Sequence, residues 1–265
     1  MLRAWQARGA GYEISWGGRT WTLAVDVPRP GLRAADEPAD AGWGPLLGLE
    51  GLAARGRSAP GALSGATLVA CEPHFARIEA TFAPLGWGGL RVRAAWSPSD
   101  GDGIDLEVQV SADSVDELKA LEVYAASTLP EPPGTKPGAK VKHWVEPRDA
   151  RAGGSTYDGR EPSLRDWTTL PIADDTPLAP RVLPVGSMAY VELVHPHDVA
   201  RRIVATSRLS QLGHATRYGL FGHDLEKGVV LRARLRGQWV RADEAQDEAK
   251  RLQSRFLHEP LPLQT

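Results

Sequence analysis

Asparagine is absent from this 265-residue chain and cysteine occurs once, at Cys71. Without asparagine there is no N-linked glycosylation acceptor. One cysteine can form no internal disulfide and no thiolate zinc centre, which suits a reducing compartment. No stretch approaches the roughly 18 uninterrupted apolar residues of a membrane span. The opening MLRAWQARGAGYEIS has no apolar h-region, so the chain reads as cytoplasmic and unattached to a membrane. A surplus of one charge sign is also missing. With 31 basic and 33 acidic residues the net charge is −2, which argues against a nucleic-acid partner held by broad phosphate neutralisation. The P-loop, the GxSxG elbow, HExxH, a cysteine metal cluster and a dinucleotide fingerprint after a strand are all absent.

Period-two alternation dominates what is present. Leu90, Val92, Ala94 and Trp96 share one strand face, with Arg91 and Arg93 on the other; after SPSDGDG, Ile104, Leu106, Val108 and Val110 alternate with Asp105, Glu107 and Gln109. The two runs predict a hairpin, and a turn centred near Asp100 would set Arg93 opposite Glu107 and Arg91 opposite Gln109. The same rhythm recurs at 75–83 and 228–236, with weaker strands at 12–16, 20–27, 66–71, 119–128, 180–185, 188–194 and 199–206. The first half of VDELKALEVYAAS could form one helical turn, and LEVYAAS reads as a strand. From Asp243 onward, Ala245, Ala249, Leu252 and Phe256 fall at helical spacing, with acids early and Lys250, Arg251 and Arg255 late, which predicts a helix over about 242–257. The fold class that follows is all-β: one large antiparallel sandwich over 1–265, with long loops and one C-terminal helix. Two Pro/Gly-rich stretches, about 28–65 and 130–180, read as irregular insertions; both carry tryptophan, which favours ordered loops folded over one face.

Two polar clusters carry the candidate chemistry. In VELVHPHDVARR, His195 and His197 would point to one side of an extended segment, as a metal-binding pair does. A metal would need a third ligand from His223, Asp224 or Glu226, and no metal or other cofactor is expected; the alternative is a turn in which His197 and Asp198 bond nearby backbone. In HATRYGLFGHDLEKG, His214, Tyr218, His223, Asp224 and Glu226 crowd what reads as a short loop, and a histidine beside a carboxylate can move protons near neutral pH. Ordinary turn chemistry is the rival reading. Arg232, Arg234 and Arg236 form a stripe suited to a carboxylate or sulfate, or else a sheet face paired with acids from elsewhere. Nine tryptophans against four phenylalanines is a skewed set. Indole faces stack on sugar C–H faces, and Trp43, Trp87, Trp144 and Trp167 lie in loop-like contexts, whereas Trp96 belongs to the core.

The stretches ARIEATFAPLGWGGLRVRAAW, GIDLEVQVSADSVDELKALEVYAAS and YGLFGHDLEKGVVLRARLRG resemble galactose mutarotase-like proteins over roughly 75–240. That resemblance implies a supersandwich of long antiparallel strands binding a sugar on a concave sheet face, with histidine and glutamate as acid and base. The expectation drawn from it is a carbohydrate-active protein, an epimerase (mutarotase) or lyase, using His195, His223 and Glu226 as catalytic groups. Trp144, Trp167, Tyr218, Arg232 and Arg234 would contact the sugar. A non-catalytic carbohydrate-binding module, a protein-interaction sandwich and a metal-dependent variant are the rivals.

Overall fold

A computed structural model describes residues 5–9, 11–36, 44–57, 61–99, 102–113, 117–130, 167–171, 178–205 and 214–259. Among these, β1 (Gln6–Arg8), β2 (Gly11–Trp16), β3 (Arg19–Ala24) and β4 (Gly31–Ala34) form a small sheet in chain order. Next come β5 (Gly48–Arg55), β6 (Gly61–Ala62), β7 (Leu68–His74), β8 (Arg77–Phe82), β9 (Leu90–Pro98), β10 (Gly103–Ala112) and β11 (Glu117–Leu129). Then follow β12 (Trp167–Pro171), β13 (Arg181–Val185), β14 (Met188–Val194), β15 (Val199–Ala205), β16 (His214–Glu226), β17 (Val230–Arg241) and helix α1 (Ala245–His258). A seven-stranded sheet in the order β13-β14-β17-β10-β9-β8-β7 faces a six-stranded sheet in the order β12-β15-β16-β11-β5-β6. Every recorded strand pairing is antiparallel.

Alternation closes the sandwich. Ile78, Ala80 and Phe82 of β8, Val92, Ala94 and Trp96 of β9, and Ile104, Leu106, Val108 and Val110 of β10 are buried in one cluster with Leu49 and Leu52 of β5 and Leu121, Val123 and Ala125 of β11. Polar atoms are spent on joining the sheets: Trp96 Nε1 donates to the Leu47 carbonyl at 2.8 Å, and Leu47 N donates to Ser127 Oγ at 2.9 Å. The small sheet seats Trp16 and Trp21 against Tyr190 and Trp239, with ring centroids 5.2–6.0 Å apart. Gly17, at φ +59°, is required here, because a Cβ would run into the Trp239 indole.

Four expectations need correction. The hairpin turn is centred one residue later than Asp100: Ser99 N donates to the Gly103 carbonyl at 2.9 Å and Asp102 adopts φ 81°. Moving the centre by one residue shifts each partner by two, so Arg93 faces Gln109 and Arg91 faces Ser111, and Arg93 pairs with Glu79 of β8. Within the stretch 28–65, read from the sequence as an irregular insertion, the described residues hold β4, β5 and β6, and their glycines let strands pack closely, with Gly31 and Gly48 in contact range. The segment 214–226 is one 13-residue strand rather than a loop; Phe221 and Gly222, at φ 76° and 71°, absorb a bulge within it. Likewise β11 is extended throughout, with its irregularity at Ala120 (φ 46°) instead of a helical turn.

On the far side of the seven-stranded sheet, α1 lays Ala245, Ala249, Leu252 and Phe256 on Ala189, Val191, Leu193 and Val240. The arginine stripe runs into this contact, in register with acids that the sequence left unassigned: Arg236 faces Asp105, Arg234 faces Glu107 and Arg232 faces Gln109. Arg236 Nε and Nη2 donate to the two Asp105 oxygens at 2.6 and 2.8 Å, Nη2 also reaches Glu259 at 2.7 Å, and the guanidinium lies 5.2 Å over Phe256. Removing one partner of a buried pair leaves the other charge stranded. The Arg236→Met variant is therefore expected to lose about 3–5 kcal/mol in urea unfolding, and Asp105→Leu/Arg236→Met to regain most of it. Equal losses in the single and double variants would contradict this account.

Candidate functional site

Every second side chain of β11, β15 and β16 leaves the core and meets the open face of the six-stranded sheet. Register places Arg201 opposite Gly219, Gly219 opposite Tyr124 and Tyr124 opposite Gly51, one row across four strands. Tyr124 sits low in this row, 5% exposed, with a glycine on each side. Arg201 Nε donates to Glu122 Oε2 at 2.8 Å, and its Nη2 donates to the Tyr124 hydroxyl at 2.7 Å. One row along, Arg217 Nε donates to Glu50, whose other oxygen lies 3.9 Å from Arg29. The Arg201 and Arg217 guanidiniums lie 5.7 and 5.9 Å from the Tyr124 ring. Side-chain exposures of 23% for Arg201 and 10% for Arg217 mark groups lodged in the face rather than waving from it.

The geometry sets the chemistry. Each guanidinium carries its own carboxylate, so the face presents oriented donors and acceptors and little uncompensated charge between Arg201, Arg217, Glu50 and Glu122. A Cβ on Gly219 would stand 2.9 Å from Glu122 Oε2, so the glycine keeps room for the Arg201–Glu122 pair. Burial, followed by the Glu122 charge, pushes the Tyr124 hydroxyl up to about 12. At neutral pH it is therefore a hydroxyl donor and not a base.

The residues singled out in the sequence fall in other places. His195 caps a single 3-10 turn, Pro196–Asp198, between β14 and β15; its Nδ1 accepts from His197 N at 3.4 Å, and the two rings lie 5.2 Å apart. Asp198 turns inward and accepts from Arg234 N at 3.0 Å, and burial raises its pKa. His223 and Glu226 are exposed on β16, three residues and so about 10 Å apart along the strand, while Asp224 accepts from Ala120 N at 2.7 Å beside the bulge of β11. Among the described residues no three histidine, cysteine or acidic groups converge as metal ligands. Tyr218 faces the interior and donates to Glu192 at 3.2 Å. Arg234 lies under α1, 4.4 Å over Phe256, whereas Arg232 is part-exposed at the start of the stripe. Trp144 lies outside the described residues, as does Trp43, and of Trp167 only the backbone, in β12, is described. Trp87 is buried under Arg57, 5.1 Å away.

Sequence reasoning passed over all five groups of the open face. Arg201 and Arg217 stood inside the two polar clusters, and Arg217 is next to Tyr218, which was chosen. The missing signal was alternation: in RYG of β16, Arg217 and Tyr218 must point to opposite faces.

No protein-family model matches the chain, and no curated protein matches it. Solved structures do. A GalM/aldose epimerase homologue from C. elegans is 12% identical, with 90% of this chain and 98% of that one covered at a TM-score of 0.47. A candidate aldose 1-epimerase from Escherichia coli K12 is 12% identical, with 90% and 99% covered at 0.48. A polysaccharide lyase is 11% identical, with 94% of this chain and 34% of the lyase covered at 0.40. The likeness to galactose mutarotase-like proteins is a distant one of fold. No helix among the described residues is long and apolar enough to cross a membrane.

Tyr124 supplies a pH test. The unfolded side chain ionises near its ordinary 10.0, while the folded one holds its proton to about 12. Between those values the unfolded state alone releases the proton, so stability falls as pH rises through the window. Thermal melts of Tyr124→Phe should lose less stability than the parent between pH 10 and 12; parallel losses would contradict the assignment.

Proposed function

We propose that the protein binds a carbohydrate on the open face of the six-stranded sheet, with Arg201, Glu122, Tyr124, Arg217 and Glu50 as the contacting groups. The observation that carries this reading is the mutual bracing of the five groups across β5, β11, β15 and β16. A sugar offers vicinal hydroxyls, each both donor and acceptor. Such a ligand matches paired guanidinium and carboxylate groups whose charges are already compensated, and a face braced before the ligand arrives loses less entropy on binding. The Tyr124 hydroxyl, bonded to Arg201 and Glu122, holds that pair in place. Binding is the function proposed; the chemistry of an epimerase or lyase would need an acid and a base on this same face, and Glu122 and Glu50 are the carboxylates available there.

A glycan array on the intact chain, followed by calorimetry on the strongest hit, tests this. Arg201→Ala and Arg217→Ala, each checked for retained β-structure by circular dichroism, should weaken binding about tenfold or more, the scale of a lost charge-assisted hydrogen bond. Binding that survives both substitutions unchanged, or no glycan bound at all, would exclude the open face as a sugar site.

A further inference from the structure

At the β5 margin of the open face stand two arginines outside the five braced groups. Arg29, just ahead of β4, brings Nη1 to 3.9 Å from Glu50 Oε1, the carboxyl to which Arg217 Nε also donates. Arg33 of β4 donates from Nη2 to the Arg29 carbonyl at 3.1 Å. The backbone holds both against β5: Leu49 N donates to the Pro30 carbonyl at 2.8 Å, and Leu32 and Leu46 exchange bonds at 3.0 and 2.8 Å. Gly31 admits no Cβ, because Gly48 Cα stands in its way. The roots of both arginines are therefore fixed beside Glu50.

Charge is graded along this face. At one end Arg201 and Glu122 compensate each other. At the other, among the described residues, Arg29, Arg33 and Arg217 gather about Glu50. Arg33 decides the balance, since its guanidinium bonds a backbone carbonyl and has no carboxylate partner among these residues. Burial, followed by the charge of Arg29, lowers the Arg33 pKa, so its cation sits where positive charge is disfavoured. An anion placed there offsets both effects. The corner is open to solvent, with the Arg29 side chain 48% exposed and Arg33 half-buried. A neutral sugar would use the compensated pairs and leave Arg33 unanswered.

We propose that the sugar bound on the open face carries a carboxylate or a sulfate ester, received by Arg33 and Arg29 beside Glu50. This acidic class of sugar presupposes the carbohydrate site proposed above. A planar guanidinium fork matches either group through two parallel hydrogen bonds. Glu50 repels an anion from its own side, which steers the acidic group outward to Arg33 while the sugar ring lies over the compensated pairs.

A panel of oligosaccharides, each in neutral, uronate and sulfated form, titrated into the intact chain by calorimetry gives the test. At low salt at least one acidic form should bind about tenfold or more tightly than its neutral counterpart, and which one does so separates carboxylate from sulfate. Arg33→Gln should bring the acidic forms down to the neutral affinity. Arg29→Gln, at an exposed position, should weaken them severalfold and decides the matter if Arg33→Gln does not fold. Equal affinity for all three forms, or an acidic preference that survives both substitutions, would overturn the inference and leave the sugar site standing. Acidic forms that bind no better than free sulfate or acetate and ignore Arg201→Ala would overturn both, as would binding of no form.

Discussion

The pairing of β11 with β16 is the constraint on which the rest of the molecule depends. Both strands run 13 residues, and their register sets Tyr124 opposite Gly219 and Ala125 opposite Tyr218. A strand has two faces and a period of two, so a slip of one residue would exchange every inward side chain for an outward one. With the observed register Val123, Ala125, Tyr218 and Leu220 enter the core, while Glu122, Tyr124 and Arg217 go to the open face. The bulge at Phe221 and Gly222 reconciles this register with the irregular start of β11, where Asp224 accepts the Ala120 amide. The candidate sugar face and the polar inter-sheet cluster are thus two sides of one strand pair.

A second theme is the treatment of buried charge. Where the seven-stranded sheet meets α1, Arg236 is clasped by Asp105 and Glu259, and burial of that pair is matched by direct bonds on both sides. On the open face Arg201 and Arg217 each carry a carboxylate. Between the sheets the Glu192 carboxyl accepts from Tyr218 at 3.2 Å, and burial holds it towards the neutral acid form.

The strands, the helix and the antiparallel sandwich were legible because they rest on local rules: period two in β9, β10 and β17, helical spacing in Ala245, Ala249, Leu252 and Phe256. Strand β5 was hidden by its glycine and alanine, which exist to let Gly48 approach Pro30 and Gly51 approach Gly61. The partners of Arg232, Arg234 and Arg236 were out of reach because they lie more than a hundred residues away on β10 and depend on the order of strands across the sheet. The open face was missed for a related reason. Histidines draw notice as chemical groups, but Glu50, Glu122, Arg201 and Arg217 become a site only once three long-range pairings bring β5, β11, β15 and β16 side by side.

The most direct measurement of this account is the cross-strand contact between Tyr124 and Gly219, read as inter-strand Hα proximities in nuclear Overhauser spectra of the labelled protein. The account predicts contacts that link Tyr124 to Gly219 and Ala126 to Arg217. Contacts from Tyr124 to Tyr218 or Leu220 would contradict it, since that register turns Arg217 into the core.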